Sequence, residues 1–428
     1  MTMNYMRKTN LLKITCLLLI VLFQKNAECQ QNFKDGYVVN LNNDTVKGQI
    51  NYRNWDKNPT RVEFRKDAAA KAVYYKPIEI NAFNVAEENY ISAIVSVEKS
   101  PYKTNELSNS ADFEFVKDTV FLEVLATGNK PIYYLKDNDG KINFFIRGDN
   151  GIEILLYKEY INETDGIRTI NTNEGYKERL RIYLNECPGV EKKIQRMSYT
   201  LNSMQDLLIG YYVCKGVGPD FQKKKEKNKS ELGIFAGLSL TKLRFNSPAT
   251  AIHEVAYTSF PQSTAFAGGV FYNVYLARNL NKFSINNELI YSSYKTDGIY
   301  ENYSTPVTTK KTTITFDFSY IKLNTLFRYT YPVNMAYIYI NGGISNGWAV
   351  REKNLQKEVT LYNNTETVKE GPALNDVRKY EQSYIIGLGT KYKNYSFEAR
   401  FESGNGMSEY SNLNSAVKRY FFLLGYRF

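Results

Sequence analysis

The sequence predicts a mainly β protein, with a C-terminal eight-stranded antiparallel transmembrane β-barrel preceded by a small β-rich domain and a helical pair. Three observations lead there. The terminal segment Lys418–Phe428 puts Tyr420, Phe422, Leu424, Tyr426 and Phe428 on one strand face. Arg419 and Arg427 fall on the other face, with Phe421, Leu423 and Gly425. An aromatic wall backed by a charged one is what a strand between lipid and lumen needs. Strands of this alternating kind recur from Glu231 onward, joined by alternately short and long connections. Mean hydropathy is −0.44, which suits a barrel because outward and inward residues average out.

At the N-terminus, Arg7, Lys8 and Lys13 precede an apolar run, Ile14–Phe23, and a short polar stretch ending at Cys29. This is the layout of a secretory signal peptide over residues 1–29, with Ala27 and Cys29 as the small residues before the cleavage point. The run is too short for a spanning helix. Glu28 directly before Cys29, and no Leu three residues before it, argue against lipidation of Cys29.

Residues 30–160 read as a β-rich domain expected in the periplasm. Tyr37–Leu41 and Thr45–Ile50 flank an Asn42-Asn43-Asp44 turn. Short strands follow at 61–64, 72–75, 91–97, 119–124, 132–135, 144–147 and 152–156. Residues 161–216 read as a helical segment. Glu174–Leu184 and Val190–Tyr212 carry apolar residues at helical spacing, with Pro188-Gly189 between them. Residues 217–230 are a basic linker, densest at Lys223–Lys229, and 231–428 form the barrel.

The net charge of +11 does not point to nucleic acid. Its densest run lacks the interleaved stacking aromatics that such a surface uses and reads as solvated linker. Attraction to anionic lipid headgroups at the inner leaflet is one use compatible with it.

Within the barrel, Leu232, Ile234 and Leu238 alternate with Gly233, Phe235 and Ser239. Val270, Tyr272 and Val274 form a similar face, as do Ile285, Leu289 and Tyr291. Ile321, Leu323 and Phe327 oppose Lys322, Asn324 and Arg328. Ile338, Ile340 and Ile344 oppose Tyr339 and Asn341. Tyr384, Ile386 and Leu388 oppose Ile385 and Lys391, and Tyr395, Phe397 and Phe401 oppose Glu398, Arg400 and Glu402. With the terminal strand the count reaches about eight. Phe316, Phe318 and Tyr320 run out of phase with Ile321 and Leu323, which predicts a β-bulge. Stretches near 278–282, 331–334 and 393–394 are short. Those near 246–263, 296–311, 351–377 and 403–415 are long and polar and read as loops.

The inward set then contains Glu288, Lys322, Arg328, Lys391, Glu398, Arg400, Glu402, Arg419 and Arg427. In a barrel of this size the lumen is filled by side chains, so these charges are expected to pair structurally rather than to line a pore. Glu398 and Glu402, with Arg400 between them, read as a salt-bridge ladder rather than an acid/base pair. Cys187 and Cys214 remain after the signal peptide. A disulfide between them is compatible with an oxidising compartment and is not implied by the count. His253 is the single histidine, so no paired-His metal site exists. No Cys-x-x-Cys, His-Glu-x-x-His or phosphate-loop motif is present. No catalytic, cofactor-binding or metal residue is therefore expected, and no cofactor.

The barrel half resembles the small Gram-negative outer-membrane β-barrels of OmpA-like, OmpX-like and PorT-like type. The resemblance rests on Glu231–Ser239, Tyr320–Leu323 and Tyr426-Arg427-Phe428. It implies an outer-membrane location, contact with outer-membrane lipid, and a C-terminal assembly signal at Tyr426 and Phe428 read by the barrel-assembly machinery. The expected function is a non-enzymatic envelope anchor or adaptor whose periplasmic domain and outer loops bind partners, with a periplasmic protein or peptidoglycan as candidates. The alternatives are a lipid-modifying barrel enzyme, since some outer-membrane acyltransferases carry a loop histidine as His253 would be, or a narrow channel or substrate-binding barrel. No Ser/Asp constellation accompanies His253.

Overall fold

A computed structural model describes residues 32–226, 228–247, 253–305, 308–333, 335–363 and 365–428. The signal-peptide reading over residues 1–29 lies outside the described residues. The chain divides into two compact units at Glu226/Lys227, and no helix among the described residues is long and apolar enough to cross a membrane.

The N-terminal unit contains β1 (Phe33–Val39), β2 (Thr45–Asn51), β3 (Val62–Arg65), β4 (Val73–Tyr75), β5 (Ala82–Val85), β6 (Glu88–Glu98), β7 (Phe115–Thr127), β8 (Ile132–Lys136), β9 (Ile142–Gly148), β10 (Gly151–Leu155), β11 (Lys158–Thr164), β12 (Ile167–Asn173), α1 (Gly175–Tyr183), α2 (Glu191–Arg196), α3 (Leu201–Lys215) and β13 (Phe221–Gln222). One antiparallel sheet runs β10-β9-β8-β7-β6-β5-β1-β2-β3-β4, with β13 added to β7. Alternation buries both faces of β8 and β9. Tyr134, Phe144 and Ile146 pack with the helices, through Leu180, Met204, Leu207 and Leu208. Tyr133, Leu135 and Phe145 face the other way, onto Val95, Val97 and Val124.

Three expectations are corrected here. The helical segment does not begin at 161, because residues 158–173 form the separate β11–β12 hairpin. Its turn, Asp165-Gly166, has positive φ at both residues, the chemistry of a tight hairpin. Instead of a helical pair there are three α-helices, because Val190–Tyr212 is interrupted after Arg196. Tyr199 is drawn into the core, where its hydroxyl donates to the Leu155 carbonyl at 2.6 Å and accepts from the Phe144 amide at 3.0 Å. Thr200 then caps α3 by accepting from the Ser203 amide. The basic linker of 217–230 is partly structural. Phe221–Gln222 pairs with β7, and Lys223 is buried against Glu123, with Glu88 at 3.9 Å. A carboxylate as buried as Glu123 requires a cation, and Lys223 supplies it. Cys187 and Cys214 form a disulfide that joins the segment before α2 to the end of α3.

The C-terminal unit contains β14 (Ser230–Asn246), α4 (His253–Tyr257), β15 (Ser263–Tyr275), β16 (Phe283–Thr305), β17 (Thr308–Val333), β18 (Ala336–Tyr362), β19 (Thr365–Gly371), β20 (Tyr380–Tyr392), β21 (Tyr395–Gly404) and β22 (Asn414–Arg427). Eight strands close into an antiparallel ring, β14-β15-β16-β17-β18-β20-β21-β22. Closure comes from β14 on β22, with Gly233 opposite Arg427 and Asn246 opposite Asn414. Leu232, Ile234, Leu238, Leu289, Leu323, Ile386 and Leu424 all lie exposed on the outer wall. Inside, small residues make room for large ones. A side chain on Gly389 would collide with the Tyr339 ring, and one on Gly233 with the Phe271 ring.

Two of the stretches read as loops are strands. β16 to β19 continue their hydrogen-bond ladder past the ring as a four-stranded extension, with Thr308 opposite Tyr362 and Tyr362 opposite Thr365. The Thr-rich run 308–315 is polar, yet its β-branched residues favour strand. The expected phase slip in β17 is also absent. Ile314, Phe316, Phe318, Tyr320, Lys322, Asn324 and Leu326 are all buried on one continuous inner face. The irregularity sits on the partner strand, where Ser319 pairs Arg351 and Tyr320 pairs Ala349, leaving Val350 as the extra residue. The inward aromatics join Leu243, Val255, Phe260, Leu374, Met407, Leu413 and Val417 in an apolar core at the long-connection end.

Phe316→Ala is expected to lower barrel stability by about 3–5 kcal/mol through the cavity it leaves, read by urea unfolding in detergent micelles. Replacing Cys187 and Cys214 together by Ser, which opens a loop of sequence separation 27, should cost the N-terminal unit about 3 kcal/mol, and reducing agent should reproduce the loss.

Candidate functional site: the barrel lumen

The inward charges sort into three clusters along the barrel. Nearest the short turns, Glu231 on β14 meets Lys391 on β20 at 3.1 Å and Arg427 on β22. The Tyr275 hydroxyl donates to Glu231 at 2.9 Å and accepts from Lys391 at 2.8 Å.

The middle cluster holds two carboxylates and two guanidinium groups. Arg400 grips Glu288 with both terminal nitrogens, at 2.6 and 2.9 Å, and donates from Nε to Glu398 at 2.7 Å. Asn286 and Asn324 donate to the same Glu288 carboxylate, at 2.7 and 3.0 Å. Arg328 lies 3.5 Å from Glu398, 4.2 Å over the Tyr339 ring, and donates to Asn341 Oδ1 at 2.7 Å. The Tyr339 hydroxyl completes Glu398 at 3.1 Å.

Deeper still, Lys322 and Arg419 share Glu381 and Glu402. Lys322 Nζ donates to them at 2.7 and 2.5 Å, and Arg419 Nη1 at 2.5 and 2.7 Å. All four side chains are about 1% exposed. The Arg419 guanidinium lies 5.6 and 5.5 Å from the Tyr294 and Tyr320 rings, where the apolar core begins.

All nine inward residues read from the sequence are therefore placed in these clusters. Glu398 and Glu402 part company: Arg400 serves Glu398 and Glu288, whereas Glu402 belongs to the Lys322–Arg419 group. Two members were missed by sequence reasoning, Glu381 and Glu231. Both keep the inward parity of their strands, Glu381 ahead of Tyr384 and Glu231 directly ahead of Leu232, where the apolar face of each strand begins, and that parity was the signal available. Tyr426 and Phe428 lie on the outer wall at the end of β22. His253 opens α4, and its side chain lies outside the described residues.

Chemically, the two inner clusters each balance two carboxylates with two cations. Burying such charges is tolerable only because every one is paired and hydrogen-bonded. The space left at the short-turn end, bordered by Glu231, Arg328, Tyr339, Lys391 and Arg427, is about 30 Å³, the scale of one or two water molecules. No cluster of His, Cys, Asp and Glu suited to a metal ion occurs among the described residues. The arrangement is a filled lumen.

Arg419→Ala, which leaves Lys322 alone between two buried carboxylates, should destabilise the barrel by about 3–5 kcal/mol. Lys393→Ala, at an exposed turn, should change it by less than about 0.5 kcal/mol. Urea midpoints in one detergent provide the comparison.

Residues 221–404 match the family model described as outer membrane protein beta-barrel domain. No curated protein matches the chain. Among solved structures, similarity is found to Ail, the attachment invasion locus protein of Yersinia pestis, in complex with the heparin analogue sucrose octasulfate, at 15% identity and TM-score 0.24, covering 47% of this chain and 99% of Ail. Neisserial surface protein A matches at 11% identity and TM-score 0.23, covering 47% and 99%. The outer membrane protein OprG from Pseudomonas aeruginosa matches at 10% and 0.26, covering 47% and 98%.

Proposed function

Given that the C-terminal unit is an outer-membrane β-barrel domain, we propose that the protein is a non-enzymatic envelope anchor and adaptor. The barrel holds the chain in outer-membrane lipid, and the N-terminal unit works in the periplasm as the partner-binding part. The observation that carries this reading is the filled lumen, self-neutralised in its middle and packed with apolar side chains at the far end. A barrel filled in this way supports holding and presenting rather than conducting.

The lengths of the connections support this orientation. Barrels of this class turn tightly on the periplasmic side and extend their long connections outside. β14 begins and β22 ends at the short-turn end, so the chain enters the barrel from the periplasm. The β16–β19 extension then faces the exterior as a second binding surface. Tyr426 and Phe428 act as the signal to the barrel-assembly machinery. A periplasmic protein or peptidoglycan is the partner of the N-terminal unit.

In cells the protein should fractionate with the outer membrane, and the N-terminal unit should become protease-sensitive only after the outer membrane is permeabilised. Crosslinking from that unit should capture a periplasmic protein or peptidoglycan. Reconstituted in a planar bilayer, the protein should show no unitary conductance steps, and discrete steps would establish the channel alternative. His253→Ala should leave membrane lipid composition unchanged, and an altered composition would establish the lipid-modifying one.

A further inference from the structure

Between β2 and β3 the chain forms a loop, residues 52–61, that is pinned from beneath. The buried Asn58 side chain donates to the Phe121 and Tyr134 carbonyls, both at 2.9 Å, and accepts from the Lys136 amide at 2.9 Å. Its own amide donates to the Lys136 carbonyl at 2.9 Å. Asp56 pairs with the Lys136 ammonium at 2.8 Å. The Trp55 ring stands edge-on to Tyr52, Phe83 and Tyr90 at 5.4, 6.2 and 6.0 Å. A loop held by this many contacts presents a pre-formed surface.

On that surface lies a cleft of about 270 Å³, lined by Arg53, Trp55, Lys57, Arg61, Glu63 and Tyr74 together with neighbouring backbone. Its charges are not matched internally. Arg53 and Arg61 make no ion pair with any described residue. Arg61 is nonetheless held in place, 4.5 Å over the Tyr74 ring. Glu63, 9% exposed, has one oxygen engaged by the Asn51 side-chain amide at 2.8 Å and no cation within 4.0 Å among the described residues. A nearly buried carboxylate without a cation beside two guanidinium groups without an anion is an arrangement that folding alone does not reward. A ligand carrying both an anion and a donor completes it.

We propose that this cleft binds a small carboxylate that bears an adjacent hydrogen-bond donor. The carboxylate engages Arg53 and Arg61, the donor (an ammonium or a hydroxyl) engages Glu63, and the apolar face of the ligand packs on Trp55 and Tyr74. Arginine suits a carboxylate because its planar fork matches two oxygens. Amino acids and sugar acids share this chemistry. The site deepens the reading of the N-terminal unit as the recognising part. The two fail separately, because probe binding by purified protein does not depend on where the protein resides in the cell.

The test is calorimetric titration of the full-length protein in detergent with alanine and with glucuronate, against alaninamide and acetate as controls lacking the anion or the donor. Saturable binding of alanine or glucuronate is expected at about millimolar Kd, with both controls at least about tenfold weaker. Binding of alanine alone identifies an amino-acid source, and of glucuronate alone a sugar-acid source; either supports the site. Arg53→Gln and Arg61→Gln should each weaken binding at least about tenfold, with circular dichroism unchanged because both side chains are exposed. Glu63→Gln should erase the preference for alanine or glucuronate over acetate. Acetate binding as tightly as alanine and glucuronate, affinities unmoved by either Arg substitution, or no saturable heat from any probe would each overturn the proposal.

Discussion

A closed sheet of eight strands has an inside, and everything in the C-terminal unit answers to what that inside can hold. The ring leaves space for side chains and little else. Each inward charge therefore finds a partner contributed by another strand, even where, as with Arg400 and Glu398, a neighbour on its own strand also serves it. Arg400 reaches from β21 to Glu288 on β16, and Arg419 from β22 to Glu381 on β20. These bonds cross the lumen rather than run along one strand. They tie together strands that never pair in the sheet, and they hold only if closure brings every partner to the right level. The interior is thus specified by the ring as a whole.

The same logic explains why the lumen changes character along its length. Where the wall crosses the membrane, polar side chains turn inward because the outside must be apolar. Beyond that band the outer wall is free to be polar, and the interior becomes an ordinary apolar core. Phe316, Phe318 and Tyr320 stay on the inner face while the connections contribute Val255, Phe260, Leu374, Met407 and Leu413 to the same cluster. The apolar core and the ion clusters are two solutions to one filling problem, meeting at Tyr294 and Tyr320.

Much of this was legible in the residues. Strand phase was right wherever one face was greasy and the other ionic, as in β22, where Arg419 and Phe422 declare their sides. It held too in β14, β15 and β18, where the inner face is small or aromatic, and failed in the Phe316–Tyr320 stretch of β17. The inward aromatics of β17 looked like lipid-facing residues, because aromatic periodicity alone does not say which wall is wet. Glu381 and Glu231 escaped notice because they sit at strand ends, outside the apolar run that betrays a strand. The outer strands of the extension are hidden in the sequence by Thr and Lys, whose polarity masks the β-branched strand propensity of the Thr residues. In the N-terminal unit, the break at Tyr199 depended on the distant Phe144 and Leu155, a tertiary demand that no local pattern displays. The cleft beside Asn58 was equally invisible, since its floor comes from β7 and β8, more than sixty positions away in the chain.

The ladder that carries β16, β17, β18 and β19 past the rim has a mechanical meaning. A projection built of paired strands has already lost its conformational freedom before any encounter, so a binder would meet a stiff template rather than a tether that must be ordered on contact. Val350 adds a permanent bend where that template leaves the cylinder. Lengthening or deleting it would re-aim the whole projection while leaving the wall below untouched.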